Sequence, residues 1–198
     1  MSTVIKKLSP ELIPDYIEFF DKVAFTDNEE WAGCYCLWYH LKDEQETGEE
    51  NSAACEGSCD RRSLAARYIR EGRLQGYLAY EDGVVAGWCN SNDKSSYVKL
   101  SPDQWPELWD AESSGDRIKS VVCYTIAPHM RRNGIATKLL EQVILDARAE
   151  GYTYVEAYPG IRSTNVQLNY HGPLPLYEKF GFTQHRNIVD YIIVRKYF

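Results

Sequence analysis

The fold is decided by the stretch KSVVCYTIAPHMRRNGIATKLLEQV, residues 119–143. Its first part, Lys119 to Ile126, is rich in β-branched residues and predicts a strand that Pro128 ends. Its last part predicts a helix from Gly134 to Glu150, because apolar residues recur there at three- and four-residue steps. A basic, glycine-containing turn joins the two. The stretch therefore predicts a strand, a turn and a long helix in succession.

The turn Arg131-Arg132-Asn133-Gly134-Ile135-Ala136 predicts an anion-binding site. The first N–H groups of a helix have no acceptor within the helix, and the helix dipole is positive at that end. Gly134 lets the backbone approach an anion closely, and Ala136 keeps the next contact small. Because Arg131 and Arg132 add positive charge, the predicted ligand is a phosphate.

The rest of the chain predicts further strands and helices around this unit. An Asp-Gly pair at 82–83, between strand-like runs 75–80 and 84–90, predicts an antiparallel hairpin. Other strands are predicted at 4–8, 153–158 and 187–196. Helices are predicted after an N-cap at Ser9, after a cap at Asp60 or Ser63, and at 174–180. These elements predict a fold of the α/β (α+β) class, a mixed, mostly antiparallel, twisted sheet flanked by helices.

The composition limits the classes of function. The net charge of -7 disfavours a protein that binds nucleic acid through a broad positive field. The sequence contains neither the pattern of a secretory signal nor an apolar run of roughly 18 residues, which predicts a cytoplasmic protein without a membrane partner. Six cysteines in 198 residues predict free thiols rather than a disulfide scaffold.

Two motifs carry a resemblance to a known family. Arg131-x-x-Gly134-x-Ala136 is similar to the Gln/Arg-x-x-Gly-x-Gly/Ala signature of the GNAT N-acetyltransferases, and LYEKFGF at 176–182 is similar to a second motif of that family. The resemblance lies at the level of motifs from about Gly76 to Phe182, and only in the order of elements before Gly76. The competing hypothesis of a Rossmann dinucleotide site is disfavoured, because no glycine lies two residues before Gly134 and no parallel βαβ series begins the chain.

The resemblance implies a GNAT fold with splayed central strands, one domain over residues 1–198, and residues 26–60 as a substrate-side loop or insertion. It implies acetyl-CoA as co-substrate and transfer of the acetyl group to a primary amine by direct attack in a ternary complex. The implied cofactor contacts are Ile126, Arg131, Arg132, Asn133, Gly134, Ile135, Ala136 and Thr137. A backbone N–H near Tyr124 to Ile126 is implied as the donor to the oxyanion.

The resemblance also implies that Tyr177 donates a proton to the departing sulfur, since a phenol stays protonated at neutral pH. Packing as an ordinary core aromatic is the alternative. The general base is left open, because the strand before the turn has no carboxylate where many family members place a glutamate. Glu156 is the first candidate and His171 the second, while a solvent-facing or salt-bridged role for Glu156 is equally compatible with the sequence.

The family often has an asparagine seven residues before the motif tyrosine, and this chain has Tyr170 there. The role of contacting the pantetheine therefore stays open between Asn169 and Asn165.

Cysteines and an acidic stretch leave further alternatives. Cys34, Cys36 and His40, together with Cys55 and Cys59, have a spacing unusual for zinc, so no metal is predicted. An acidic patch suits a cationic amine but equally a solvated loop; its members are Asp43, Glu44, Glu46, Glu49 and Glu50. A small-molecule amine is the predicted acceptor, and the sequence is compatible with a homodimer. The alternative functions are a non-catalytic acyl-CoA-binding or sensing module and a zinc-organised interaction protein.

Overall fold

The computed structural model of the protein describes residues 2–42, 60–109, 115–161 and 166–198. Within these residues the strands are β1 (Thr3–Lys7), β2 (Gly76–Glu81), β3 (Val84–Asp93), β4 (Ile118–Ile126), β5 (Tyr154–Ala157), β6 (Thr183–Ile188) and β7 (Tyr191–Tyr197). The α-helices are α1 (Ile13–Lys22), α2 (Arg61–Arg70), α3 (Ile135–Ala149) and α4 (Leu174–Glu178). None of the helices in these ranges is long and apolar enough to span a bilayer.

The described strands form one sheet in the order β1-β2-β3-β4-β5-β7-β6. The pair β4–β5 is parallel and the other neighbouring pairs are antiparallel, which confirms the predicted mixed, mostly antiparallel sheet. The β2–β3 hairpin turns at Asp82 and Gly83, where φ is 49° and 85°. Two successive positive φ values are typical of the tight hairpin turn that the Asp-Gly pair predicted.

Two expectations about element boundaries were wrong. The closing region predicted as one strand at 187–196 is a hairpin of two strands, β6 and β7. The sequence pattern misses β6 because this edge strand, TQHRNI, is mostly polar and largely exposed, without the apolar alternation of a half-buried strand. At the N-terminus, Ser9 is the N-cap residue of a 3-10 turn, Pro10–Leu12, without a side-chain cap, and the predicted α-helix begins only at Ile13; the Ser9 hydroxyl donates to Glu11.

Helices cover both faces of the sheet. Because side chains alternate along a strand, Leu78 and Tyr80 of β2 pack against α1 and α2, whereas Tyr77 and Ala79 pack against α3. Residues 26–42 contribute to the first of these layers. Five of their side chains are buried apolar residues, namely Tyr35, Cys36, Leu37, Tyr39 and Leu41.

The two central strands part after Val121. β4 pairs with β5 only from Ile118 to Val121, and β4 then continues to Ile126 after β5 has ended at Ala157. A register shift between Asn90 and Ser91 of β3 leaves Val122 without a β3 partner, which marks a bulge in β4 at the same point. The central strands are therefore splayed into a V.

The open edge of β4 presents unpaired backbone groups. The Ala127 N–H donates to the Ala86 carbonyl at 2.9 Å, on the β3 side. Since backbone groups alternate in direction along a strand, the N–H groups of Tyr124 and Ile126 point the other way, into the V. The V therefore exposes two backbone donors.

Candidate active site

The turn between β4 and α3 holds a row of backbone N–H groups without acceptors. A 3-10 turn, Pro128–Met130, follows β4, and Gly134 is the N-cap of α3 with φ 80°. The first hydrogen bond of the helix runs from the Lys138 N–H to the Gly134 carbonyl at 3.1 Å. No acceptor among the described residues takes the N–H groups of residues 132–137. Such a row is a cradle for an anion.

Arg132 lies in the left-handed region as well, with φ 65°. This conformation costs a non-glycine residue about 1–2 kcal/mol, and strain of this kind tends to be kept where the turn has a function. Left-handed residues beside right-handed ones also form the concave arrangement of N–H groups called a nest, which binds anions.

A groove of about 740 Å³ begins at this turn. Ile126, Arg131, Arg132 and Ala136 line one side of it, and Asn169, Tyr170, Gly172 and Pro173 line another. Of the eight predicted cofactor residues, these first four therefore contribute side chains to the groove. Asn133, Gly134 and Thr137 contribute backbone to the cradle, and the Ile135 side chain is buried in the core.

Arg131 is held at the groove by an ion pair with Asp27. Its Nη2 donates to Asp27 Oδ1 at 3.1 Å, Nη1 donates to Asp27 Oδ2, and Nε donates to the Ile126 carbonyl at 3.3 Å. The arginine holds the pKa of the Asp27 carboxyl below its usual value. Both side chains are about two-fifths exposed, at 41% and 43%, so the pair is weak and a phosphate can replace the carboxylate.

The sequence of the chain matches a known protein family. The model of the acetyltransferase (GNAT) family matches residues 38–182, which is most of the chain. The chain belongs to the GNAT acetyltransferase family. No curated protein matches it significantly.

Solved structures agree in fold with this GNAT chain at low identity. PaiA N-acetyltransferase from Thermoplasma acidophilum, solved in complex with coenzyme A, is 17% identical over 100% of both chains, with a TM-score of 0.54. The Salmonella typhimurium protein yncA, solved with its cofactor acetyl-CoA, is 16% identical over 100% of this chain and 94% of its own, with a TM-score of 0.54. A GNAT acetyltransferase from Listeria monocytogenes is 11% identical over 99% and 95%, with a TM-score of 0.59.

Tyr177 lies behind the wall of the groove in this GNAT protein. It is fully buried at the C-terminal half of α4, and its hydroxyl donates to the His171 carbonyl. Burial raises the pKa of Tyr177 well above its ordinary value, so the phenol is protonated at neutral pH. A Cβ at Gly172, which lines the groove, would lie 3.2 Å from the Tyr177 hydroxyl. The hydroxyl therefore lies directly behind a glycine of the groove wall, beside the Tyr124 ring.

Tyr124 is a second tyrosine at the groove. The sequence predicted a role for the backbone near Tyr124 but none for its side chain. Its side chain lines the groove and is buried, and its hydroxyl lies close to the Tyr177 hydroxyl and the Cys89 thiol. Its place on the wall makes this hydroxyl a candidate ligand contact. The sequence contains a signal for this position of the Tyr124 side chain. Tyr124 lies two residues before Ile126, a predicted cofactor contact, and residues two apart share one face of a strand.

A second, smaller cavity of about 170 Å³ lies beside the groove. Cys123 and Thr125 of β4 line it, so it opens on the face of the strand opposite to Tyr124 and Ile126. Tyr170, the residue found in place of the family's asparagine, lines both cavities and makes them neighbours. Of the alternatives for that asparagine's role, Asn169 lines the groove and Asn165 lies outside the described residues.

His171, the second candidate for the base, lines the smaller cavity. Its side chain is buried, and the Tyr39 hydroxyl lies 3.1 Å from its Nε2. Burial lowers the pKa of His171 to about 4, so the imidazole is neutral at pH 7 and is a weaker base than an exposed histidine.

Glu156, the first candidate for the base, lies in a buried ion cluster. Lys94 Nζ donates to its Oε1 at 2.7 Å and Arg195 Nε donates to its Oε2 at 2.7 Å. The Tyr158 hydroxyl adds a third bond at 2.8 Å. Glu156 is fully buried and lines neither cavity. The catalytic role of Glu156 stays a prediction, and these contacts favour a structural one.

The cysteines give the zinc hypothesis no further support. Cys34 and Cys36 are free thiols on the wall of the smaller cavity, and Cys55, Cys59 and the acidic patch from Asp43 to Glu50 lie outside the described residues. Within the described ranges, no group of three or more His, Cys, Asp or Glu side chains is placed to hold a metal ion.

Replacing Glu156 by glutamine should destabilise the fold. The neutral amide would leave Lys94 and Arg195, which are 1% and 3% exposed, without their carboxylate. Breaking a buried ion pair in this way costs about 3–5 kcal/mol of unfolding free energy. Urea denaturation measures the loss, and Glu141→Gln on the exposed face of α3 is the matched control, with an expected change below about 0.5 kcal/mol. A Glu156→Gln protein of normal stability but low activity would instead support the base prediction.

Acid should destabilise the protein through two buried histidines. Burial lowers the pKa of both His40 and His171 to about 4, whereas an unfolded histidine titrates near 6.5. As the pH falls from 6.5 to 5, the unfolded chain binds protons that the folded chain does not, which costs about 2 kcal/mol for each histidine. Denaturation at a series of pH values should show this slope, and His40→Gln should roughly halve it. His129→Gln, which removes an exposed histidine, should leave the slope unchanged.

Proposed function

We propose that this GNAT protein is an acetyl-CoA-dependent N-acetyltransferase that acts on a small-molecule primary amine. The observation that carries the proposal is that three features adjoin one another in space. They are the cradle of N–H groups at 132–137, the groove along the open edge of β4, and the smaller cavity beyond Tyr170. The Thermoplasma and Salmonella proteins of the same fold contain coenzyme A and acetyl-CoA, which supports this choice of co-substrate.

The groove suits acetyl-CoA from its phosphates to its thioester. The N–H groups of 132–137 and the Arg132 side chain would hold the pyrophosphate, and Arg131 would exchange Asp27 for a phosphate oxygen. The Tyr124 and Ile126 backbone groups in the V would pair with the amides of the pantetheine arm, as an added strand pairs with a sheet edge. This path leads the thioester to the point where the two cavities adjoin.

In the reaction, the amine nitrogen forms a bond to the acetyl carbon and the carbon–sulfur bond breaks. His171, which is neutral and lines the smaller cavity, would accept the proton that the nitrogen loses. A backbone N–H at the open edge of β4 would stabilise the oxyanion. A tyrosine would return a proton to the sulfur; the family motif assigns this role to Tyr177, and its place on the groove wall makes Tyr124 the alternative.

Gly134→Ala should weaken coenzyme A binding. A Cβ at Gly134 meets no atom of the protein within 4 Å, but it would stand in the cradle where the phosphate approaches. We expect the dissociation constant measured by calorimetry to rise at least about tenfold, or about 1.4 kcal/mol. Gly83→Ala is the matched control, because Gly83 has φ 85° and equally open space in a distant hairpin turn. Equal affinity of the two variants would contradict the cradle.

Loss of the catalytic hydroxyl should slow transfer without weakening cofactor binding. Free thiol and acetylated amine are measured with acetyl-CoA and a panel of primary amines. We expect Tyr177→Phe to lower kcat by about 100-fold or more, the usual effect of removing a general acid. Tyr77→Phe removes another buried hydroxyl, donated to Asp146, and should retain activity.

Parallel measurements separate the alternatives. If Tyr124→Phe loses activity while Tyr177→Phe keeps it, the acid is Tyr124. Tight binding of acetyl-CoA without acetyl transfer to any amine would replace the enzyme with the acyl-CoA-sensing module.

A further inference from the structure

The smaller cavity has room for one ring. Its volume of about 170 Å³ is close to the roughly 150 Å³ of an apolar cavity that holds a benzene molecule. A polyamine or a peptide side chain with its backbone would extend beyond it. The volume therefore limits the part of an acceptor that enters to about the size of a six-membered ring.

The wall of the cavity is aromatic. Trp31 and Phe25 pack against Tyr170 at ring-centroid distances of 5.9 and 5.8 Å, and Trp38 packs edge-on against Tyr39 at 4.7 Å. Six rings line the cavity: Phe25, Trp31, Trp38, Tyr39, Tyr170 and Tyr191. Aromatic rings pack in offset or edge-to-face geometry on other rings, so this wall favours a flat apolar group.

The described part of the wall contains no carboxylate. Its polar groups are hydroxyls, thiols, two indole N–H groups and the His171 imidazole, and burial raises the pKa of the Cys34 thiol to about 12, so that thiol is neutral. A second ammonium group of an acceptor, or a carboxylate of an amino acid, would be buried here without an opposite charge. Because an unpaired buried charge costs several kcal/mol, these acceptors are disfavoured.

The backbone at this wall is strained. Tyr35 and Cys36 are successive non-glycine residues with φ 43° and 49°. The Tyr16 hydroxyl donates to the Tyr35 carbonyl at 2.7 Å, and the Asn90 side chain donates to the Cys36 carbonyl at 3.1 Å. Such strain persists when surrounding contacts fix it, and it is concentrated at binding and active sites. Cys34 and Cys36, at and next to this strained turn, both line the cavity, which indicates a wall shaped for a ligand.

His171 gives the cavity one polar end. It lies on the wall beside Cys123 and Thr125 of β4, next to Tyr170, where the cavity adjoins the groove. An acceptor with its ring among the aromatic side chains would extend its nitrogen toward this end. In such an acceptor, a short alkyl link would join the ring to the nitrogen.

From the volume, the aromatic wall and the absence of a charged side chain among the described wall residues, we propose that the acceptor is an arylalkyl monoamine: a primary amine on a short link to a single ring. The proposal rests on the proposed acetyl transfer and names the substrate class of the same site. Phenethylamine and benzylamine represent this class.

The first test compares rates of acetylation. We expect kcat/KM for phenethylamine to exceed that for spermidine by about 100-fold or more, and Trp38→Ala to raise the KM for phenethylamine at least tenfold without changing the KM for acetyl-CoA. Trp38 is 44% exposed, so its loss should leave the fold intact. Phe198→Ala, which removes an aromatic residue of 43% exposure away from the cavity, is the control. A preference for spermidine would overturn the substrate class while leaving the acetyltransferase in place.

A second test measures binding alone and separates this proposal from the proposed catalysis. Phenethylamine should bind to the protein saturated with coenzyme A and should bind at least tenfold more weakly to Trp38→Ala, as measured by calorimetry. This result supports the arylalkylamine site even if no amine is acetylated, in which case only the transfer activity fails. Tighter binding of spermidine than of phenethylamine would overturn the proposal whatever the transfer assay shows.

Discussion

The parting of β4 from β5 after Val121 is the constraint on which both cavities depend. If the two parallel strands paired along their whole length, the backbone groups of Tyr124 and Ile126 would be used within the sheet. The bulge at Val122 and the end of β5 at Ala157 prevent this pairing. Unpaired backbone groups are costly inside a protein unless a ligand or water takes them, so the V is a candidate binding site.

The buried ion cluster lies at the vertex of this V. Glu156 pairs in register with Ser120 of β4 and with Arg195 of β7, one residue before the last β4–β5 pair. The Tyr158 hydroxyl, just beyond the end of β5, bonds to both the Ser120 hydroxyl and Glu156. These bonds tie three strands together where the sheet would otherwise open further. The cluster explains why a carboxylate is buried here without touching either cavity.

The groove and the smaller cavity are joined by residues from the N-terminal part of the chain. Asp27 holds Arg131 of the turn, and the adjacent Asn28 lies 3.5 Å from the Tyr170 hydroxyl, between the two cavities. Residues 31–39 then supply much of the aromatic wall of the smaller cavity. Asp27 and Asn28, which are adjacent in the chain, therefore link the turn at Arg131 to Tyr170 on the wall of the smaller cavity.

Prediction from the sequence succeeded where neighbouring residues decide the structure. The Asp82-Gly83 turn, the start of α3 at Gly134 and the cap at Asp60, whose side chain accepts the Arg62 N–H, follow from local backbone preferences and unpaired N–H groups. It failed for β6, because the polar TQHRNI contains no apolar alternation and is a strand only through its hydrogen bonds to β7. The surroundings of the Tyr177 and Tyr124 side chains could not be predicted from the sequence either, because both depend on the packing of α4 and Gly172 against β4.

The sequence by itself therefore determined the strand, turn and helix around Gly134, the Asp-Gly hairpin and the family motifs, because each depends on residues close together along the chain. Only the tertiary structure decided that Glu156 is paired with Lys94 and Arg195, that His171 lines a cavity, and that rings from residues 25 to 191 surround it. These contacts join side chains far apart in sequence. Their burial and charge pairing are set by the packed sheet and helices rather than by any local pattern.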